Sequence, residues 1–238
     1  MRKGKRGLGH VEVILSFVLF IVAVGFALYF FNPAGGDRLV ESSLTYAFRE
    51  ISQNTSVGVE TFSVVINNSE IPTSTNMIVL EFSGIEGKTR VETYDGDVLE
   101  SLHEDEFIYV SSGDWNSIAF VFVMFGEEFE ETDGLSGTHD ANYYEVGSSN
   151  LKEVISEKRF LVLNQTYYKD YLTLKGEEQF NLPDMANFGF SLVFDENDFI
   201  IAEKEIPAGL EVFSETERVE VLRDNGNIIF ADLIVKVW

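Results

Sequence analysis

The sequence predicts an α+β protein: an N-terminal transmembrane helix followed by a predominantly antiparallel β extracytoplasmic head with a few short helices. The first observation is an uninterrupted apolar run at residues 11–31, directly behind a basic tip. The second is the alternation of apolar and polar residues in many short segments after residue 57, which is typical of half-buried strands. The third is a pair of dipeptides, Asp95-Gly96 and Asn225-Gly226, which lie between such segments and favour tight hairpins.

The apolar run has the length of a membrane span. Residues 11–31 comprise 21 residues, of which 15 are Val, Ile, Leu or Phe. At about 1.5 Å per residue the helix measures roughly 31 Å, which matches a hydrocarbon core of about 30 Å. Four basic residues precede the run and the next is Arg38, so the positive-inside rule predicts a single-pass cell-membrane protein with a cytoplasmic N-terminus. The alternative is a cleaved secretory signal ending near Ala34 and Gly36, but the apolar region of that class has only about 7 to 15 residues.

One carboxylate, that of Glu12, lies near the start of the apolar run. Glu12 is the fifth residue after Gly7, which ends the basic tip. An ionisable side chain inside a membrane segment indicates a function and needs a partner. The alternative is that a glutamate at the end of a span reaches the lipid headgroups at little cost.

The basic tip, Gly7, Glu12 and the unbroken apolar run together resemble the class III signal peptide of type IV pilins of the archaeal type, and the resemblance covers residues 1–31. It implies that a prepilin peptidase cuts the chain between Gly7 and Leu8. It also implies that the new amine at Leu8 pairs with Glu12 of a neighbouring subunit. Many archaeal members carry Gln and Ser at the first and third mature positions, where this chain has Leu8 and His10.

Three small residues lie within the apolar run. Ala23 and Ala27 are four residues apart and share one face of a helix, whereas Gly25 lies on another face. Small residues let helices approach closely, which suits self-association through the N-terminal helix. They are also ordinary residues of a membrane anchor, and the sequence leaves both interpretations open.

The chain divides into four predicted parts. Residues 1–7 form a basic leader that is cleaved, and residues 8–31 form the transmembrane and assembly helix. Residues 32–36 form a hinge, because Pro33 disfavours helical geometry in the residue before it and two glycines follow. Residues 37–238 form one acidic extracytoplasmic head.

The head is strongly acidic. The whole chain carries a net charge of −23. Without the four basic residues of the tip and Glu12, 13 basic and 39 acidic residues remain, which gives the rest a net charge of −26. Such a surface repels phosphate backbones and therefore excludes a nucleic-acid partner. The chain has no cysteine, so disulfides do not hold the head together.

Periodicity predicts the order of elements in the head. Apolar residues at helical spacing predict a helix over residues 37–53, and a continuous apolar segment at residues 117–125 predicts a buried central strand. Residues 126–147 are rich in acids and glycine and are expected to form a loop. Ser149 is expected to cap a short helix that runs to Lys158, although residues 155–163 fit a strand equally well, and residues 164–178 predict a surface helix.

The head shows no convincing catalytic motif, cofactor site or metal site, so we expect that the protein is not an enzyme. It contains no cysteine nucleophile, no G-x-S-x-G elbow and no phosphate-binding loop. His103 and His139 are next to acids and would form a weak metal site if they met, but a solvated polar loop is the better interpretation because no ligand spacing is present. Calcium could bind the oxygen ligands of Asp95, Asp97 and the acids at 195–198, but a role in turns is the better interpretation of these residues.

Three N-x-[ST] triplets make Asn54, Asn67 and Asn164 candidate glycosylation sites in an exported domain. Chance alone gives about two such triplets in a chain of this composition. Asn54 and Asn67 lie near predicted element ends, so they are the better acceptors.

The functional hypothesis rests on the first 31 residues. It describes a pilin-like structural subunit whose N-terminal helix is drawn into a bundle of copies while the acidic head faces outward. The alternative is a single-pass surface protein that never assembles and whose head binds a ligand or partner. Substitution of Glu12 separates the two hypotheses.

Overall fold

The computed structural model describes residues 8–30, 34–135, 143–176 and 179–238. These ranges contain four α-helices: α1 (Leu8–Phe30), α2 (Ala34–Thr55), α3 (Glu157–Lys169) and α4 (Tyr171–Lys175). Two short 3₁₀ helices lie at Asn68–Glu70 and Trp115–Ser117. The strands are β1 (Ser56–Ile66), β2 (Met77–Glu81), β3 (Lys88–Thr93), β4 (Val98–Glu104), β5 (Phe107–Ser111), β6 (Phe120–Gly126), β7 (Tyr144–Ser156), β8 (Phe188–Val193), β9 (Phe199–Ala202), β10 (Phe213–Leu222) and β11 (Ile228–Val237).

The eleven described strands form one sheet in the order β2-β5-β4-β3-β6-β1-β7-β10-β11-β8-β9. Every pairing in it is antiparallel except that between β7 and β10. That parallel pairing is short, because it joins only Val221 to Ile155 and Leu222 to Ser156. The sheet therefore consists of a seven-strand part and a four-strand part that meet at this narrow contact.

Each part of the sheet has its own hydrophobic core. The rings of Phe62, Phe82 and Phe125 meet edge to face within the seven-strand part, with centroids 4.9 to 5.7 Å apart. Such aromatic pairs add stability beyond the burial of their area. β6 lies between β1 and β3 and most of its residues are buried, so the predicted central strand at residues 117–125 is confirmed.

The four-strand part is covered by α2, α3 and α4. Leu44, Ala47 and Ile51 recur at helical spacing in α2 and are buried in this core. From α3, Phe160 and Tyr167 pack against β8. The predicted helix at residues 37–53 is confirmed, although α2 begins at Ala34 and continues without a loop into β1.

Both predicted hairpins are confirmed. Asp95-Gly96 joins β3 to β4, and Asn225-Gly226 joins β10 to β11. Both glycines have positive φ angles, 88° and 81°, which residues with a Cβ adopt only at a cost.

Neither alternative for the segment after residue 149 is confirmed, because residues 149–156 belong to a strand and residues 157–163 to a helix. β7 continues to Ser156, and α3 begins directly after it. The hydroxyl of Ser156 caps α3 by accepting the amide N–H of Arg159 at 3.1 Å, so the helix starts at a local signal that lies seven residues after the expected Ser149. The predicted surface helix at 164–178 is shifted, because α3 ends at Lys169 and the short helix α4 follows.

The predicted fold class, an α+β protein with an N-terminal transmembrane helix, is wrong. The chain is mostly β, with one eleven-stranded sheet and a few helices. Within the part of the chain that the structure describes, no helix has the length and apolarity needed to cross a membrane.

The expected location, a single-pass cell-membrane protein with an extracytoplasmic head, is therefore also wrong, because it depended on that span. The leader, residues 1–7, and the first two hinge residues, Asn32 and Pro33, lie outside the described residues. The remaining hinge residues, 34–36, begin α2.

Candidate functional site

The candidate assembly surface is the outside of α1. Every described side chain of this helix, residues 12–27, is exposed. Large apolar side chains dominate this surface; Phe17 is 64% exposed and Leu19 is 61% exposed. A contiguous apolar area of this kind is unusual on a monomer and marks a place where another surface binds.

The predicted assembly residues all lie on this surface. Glu12 is exposed and is the only ionisable residue among residues 12–27. Ala23 and Ala27 are exposed on one face of the helix. At Gly25 an added Cβ would meet no atom within 4 Å, so nothing in the same chain requires a glycine there. The predicted cleavage site is described only in part, because Gly7 lies outside the described residues and Leu8 is the first residue of α1.

The three candidate glycosylation sites have different environments. The side-chain amide of Asn164 donates a hydrogen bond of 2.7 Å to the carbonyl of Ile201 in β9, so it covers a sheet edge. Asn54 lies in the last turn of α2, where its amide donates to the carbonyl of Glu50 at 2.8 Å. Asn67 precedes a 3₁₀ helix and makes no side-chain capping bond there. Asn54 and Asn164 lie in α-helices, whereas Asn67 lies outside them.

Of the two histidines of the head, the structure describes only His103. Nδ1 of His103 lies 2.7 Å from the carbonyl oxygen of Gly87, and its Nε2 is buried without a partner. His139 lies outside the described residues. Within the described ranges, no three His, Asp or Glu side chains are grouped so that they could hold a metal ion.

The acidic turns have structural contacts. In the turn after β3, the amide of Asp97 donates to the hydroxyl of Thr93 at 3.1 Å. In the turn after β8, one carboxylate oxygen of Asp195 accepts the amide N–H groups of Asn197 and Asp198 at 2.7 and 3.0 Å. The Asp195 carboxylate therefore stabilises its turn, whereas the bond at Asp97 uses the backbone amide.

A buried polar cluster joins α3 and α4 to the start of β8. Burial raises the pKa of the Tyr167 hydroxyl, and the neighbouring Tyr171 raises it further. Burial also raises the pKa of Tyr171. The amine of Lys175 is buried, donates to the carbonyl of Asp184 at 2.6 Å and has a pKa that burial lowers. The hydroxyls of Tyr167 and Tyr171 form hydrogen bonds with the backbone of Phe188, and the amine of Lys175 binds the backbone of Asp184. The cluster therefore stabilises the fold.

Two clefts border the helices. One, of about 550 Å³, lies between α2 and α3, and its cations Lys158 and Arg159 already form ion pairs with Asp224, Glu127 and Glu128. The other, of about 720 Å³, lies between α2, β7 and β10, where the two parts of the sheet separate. Sequence reasoning did not identify this second place, because no local pattern tells which strands become edges.

Comparison with protein-family models, curated proteins and solved structures finds no match to this chain.

Proposed function

We propose that this chain is a pilin-like structural subunit that associates with further copies of itself through α1. The single observation that carries the proposal is the exposure of every described side chain in residues 12–27. Removal of this apolar surface from water favours association, since the free energy gained is roughly proportional to the area buried. Copies of the same helix offer the matching apolar surface, and the small residues allow close approach.

Glu12 determines how neighbouring copies of α1 align with one another. Inside a bundle of apolar helices, an unpaired carboxylate loses its hydration and destabilises the assembly. A cation at the same level of the bundle offsets that loss. In the proposed assembly this cation is the α-amine of Leu8 of a neighbouring copy, which exists only if the chain is cut after Gly7 by a prepilin peptidase. The acidic heads stay apart at the outside, because a net charge of −26 makes them repel one another.

The test is a comparison of assemblies formed by the chain that begins at Leu8 and by its Glu12→Ala variant. Sedimentation velocity measures their size, and negative-stain electron microscopy shows whether they are regular fibres. We expect fibres from the unchanged chain and only small or irregular species from Glu12→Ala. The matched control is Glu41→Ala, which removes an exposed carboxylate from α2 and leaves the apolar surface intact.

Two results would overturn the proposal: an unchanged chain that sediments as a single copy, or Glu12→Ala fibres identical to those of the unchanged chain. Processing is tested separately by N-terminal sequencing of protein isolated from its own cells. A chain that begins at Leu8 is expected, and one that still begins at Met1 rules out the cut after Gly7.

A further inference from the structure

The contact between β7 and β10 leaves a strand edge open. The two strands pair only at their C-terminal ends, and in the other direction they separate. In the part of the chain that the structure describes, β10 has no second strand partner along residues 213–219. The side chains of residues 214–218 are exposed. An unpaired edge of this length is a template for another strand.

The register of the β10–β11 hairpin shows which backbone groups point to the open edge. Arg223 donates its amide N–H to the carbonyl of Asn227 at 2.8 Å, so this pair is hydrogen-bonded across the hairpin. In an antiparallel ladder, hydrogen-bonded and non-hydrogen-bonded pairs alternate. The odd-numbered residues of β10 are therefore hydrogen-bonded to β11. The even-numbered residues Ser214, Thr216 and Arg218 direct their N–H and C=O groups away from β11 and toward the open edge.

Elsewhere the fold covers such backbone groups with its own side chains. Where β3 and β4 separate, one carboxylate oxygen of Glu131 accepts the amide N–H groups of Thr89 and His103 at 2.7 and 3.0 Å. At the outer side of β9, Asn164 binds the carbonyl of Ile201. Across the β7–β10 separation the described contact is the ion pair of Lys152 with Glu220, at 2.9 Å, which uses side chains only.

We propose that residues 213–219 of β10 bind an extended, lysine- or arginine-rich segment of another protein by strand addition. Backbone hydrogen bonds from Ser214, Thr216 and Arg218 give the affinity, and alternate side chains of the segment meet the two faces of the sheet. The adjoining cleft of about 720 Å³ accepts side chains on one face.

The carboxylates around the open edge of β10 favour a basic segment as the added strand. Glu215 and Glu217 are exposed on β10, and Glu153 lines the same cleft from β7. Two cations border the same cleft: Arg49 of α2, and Arg218, which is the only cation among residues 213–219 and lies 5.3 Å from the ring of Phe230. Cationic side chains opposite these carboxylates form favourable cross-strand pairs, whereas acidic ones repel.

The same charges disfavour a second copy of β10 as the occupant. Two copies that pair antiparallel about a two-fold axis must centre on one residue, because facing side chains lie on the same side of the sheet. Centred on Thr216, Glu215 faces Glu217. Centred on Glu217, that residue faces its own copy, and centred on Arg218 two guanidinium groups face each other. Like charges directly opposite destabilise a pair.

The test measures binding of a fluorescent peptide of alternating lysine and valine, as long as residues 213–219, to the full chain by anisotropy. We expect saturable binding to the unchanged chain and to Thr216→Ala, which keeps the backbone N–H. Thr216→Pro removes that N–H without breaking a β10–β11 hydrogen bond, and we expect it to bind about tenfold more weakly. The unfolding transition of each variant shows that it is folded.

Two further peptides separate strand addition from simple attraction of charges. A lysine–valine peptide that is N-methylated at alternate residues keeps its charge but loses backbone donors, and we expect it to bind the unchanged chain about tenfold more weakly. A glutamate–valine peptide is expected not to bind. Equal binding of the methylated and unmethylated peptides, or no binding of the lysine–valine peptide at all, would overturn the proposal.

Discussion

The hydroxyl of Tyr167 in α3 donates a hydrogen bond of 2.7 Å to the carbonyl oxygen of Phe188 in β8. The hydroxyl of Tyr171 in α4 accepts the amide N–H of the same residue at 3.1 Å. The pairing of β8 with β9 reaches only Phe190, so two helical tyrosines satisfy the backbone of Phe188 where the neighbouring strand has ended. They fix the end of the sheet to the helices that cover it.

We expect Tyr167→Phe to lower the free energy of unfolding by about 1–3 kcal/mol, because the buried carbonyl of Phe188 loses its partner. Urea denaturation of the full chain measures the change. Tyr94→Phe is the control, since Tyr94 is 77% exposed, and its effect should lie within about 0.5 kcal/mol of zero. Equal effects of the two substitutions would contradict this role of Tyr167.

A second part of the first prediction concerns alkaline pH, at which the same tyrosines should lower the stability of the fold. Burial raises the pKa of Tyr167 and of Tyr171 in the folded chain, whereas an unfolded tyrosine titrates at about 10. Above that pH the unfolded chain releases protons that the folded chain keeps, so the free energy of unfolding falls as the pH rises. The lowered pKa of Lys175 acts in the opposite direction up to about pH 10.5.

Above about pH 10, the free energy of unfolding should therefore fall less steeply with rising pH when Tyr171 is replaced by Phe. Unfolding measured at neutral pH corrects for the hydrogen bonds that this variant also loses. A pH dependence identical to that of the unchanged chain would show that Tyr171 keeps an ordinary pKa.

The second prediction concerns Arg90, which connects the two parts of the sheet. Its guanidinium donates to the backbone carbonyl of Asn225 at 3.0 Å and to the side chain of Asn227 at 2.6 Å, on either side of Gly226. A Cβ added at Gly226 would lie 2.6 Å from the Arg90 guanidinium. Gly226→Ala should therefore cost about 1–2 kcal/mol for the positive φ and about 1 kcal/mol more for displacing Arg90.

Gly96→Ala is the matched control for this prediction. Gly96 has the same kind of φ, but an added Cβ there would meet open space. The difference between the two alanine variants in thermal or chemical unfolding measures the Arg90 contact. No difference between them would show that Arg90 moves away at no cost.

The third prediction concerns Glu131, whose side chain fills the gap between β3 and β4. One of its oxygens accepts both the amide and the hydroxyl of Thr89, together with the amide of His103. Glu131→Ala leaves these donors unsatisfied and should cost about 2–3 kcal/mol, since hydrogen bonds to a charged group are the stronger ones. Hydrogen exchange of the two amides should accelerate, whereas the exposed Glu130→Ala should change neither measurement.

The fourth prediction concerns the apolar surface of α1. Gly25→Leu adds a side chain where nothing in the same chain lies within 4 Å, so the fold of the head should not change. If α1 packs closely against other copies, the added side chain should shorten or abolish the fibres seen by electron microscopy. Fibres of unchanged length would show that Gly25 does not face a neighbouring helix.

Local chemistry made several elements predictable. Asp95-Gly96 and Asn225-Gly226 form hairpins because only residues at ease with positive φ fit such turns. The apolar stripe of Leu44, Ala47 and Ile51 predicted the buried face of α2. The continuous apolarity of residues 117–125 predicted a strand with neighbours on both sides. For the candidate site, the assembly residues proposed from the sequence, Glu12, Ala23, Gly25 and Ala27, lie on the exposed surface of α1.

The tertiary structure decided what depends on residues far apart in the chain. It placed β7 beside β10 for two residue pairs only, which leaves an open edge that no local pattern encodes. It also gave Glu131, Arg90 and Tyr167 partners that lie at least 21 residues away in sequence.

The sequence by itself determined where the two hairpin turns and the apolar segments lie, because these depend on the backbone preferences and side chains of neighbouring residues. It did not determine the fold class, since the burial of one segment depends on which distant segment covers it. The single mostly β sheet and its open edge follow from those long-range pairings.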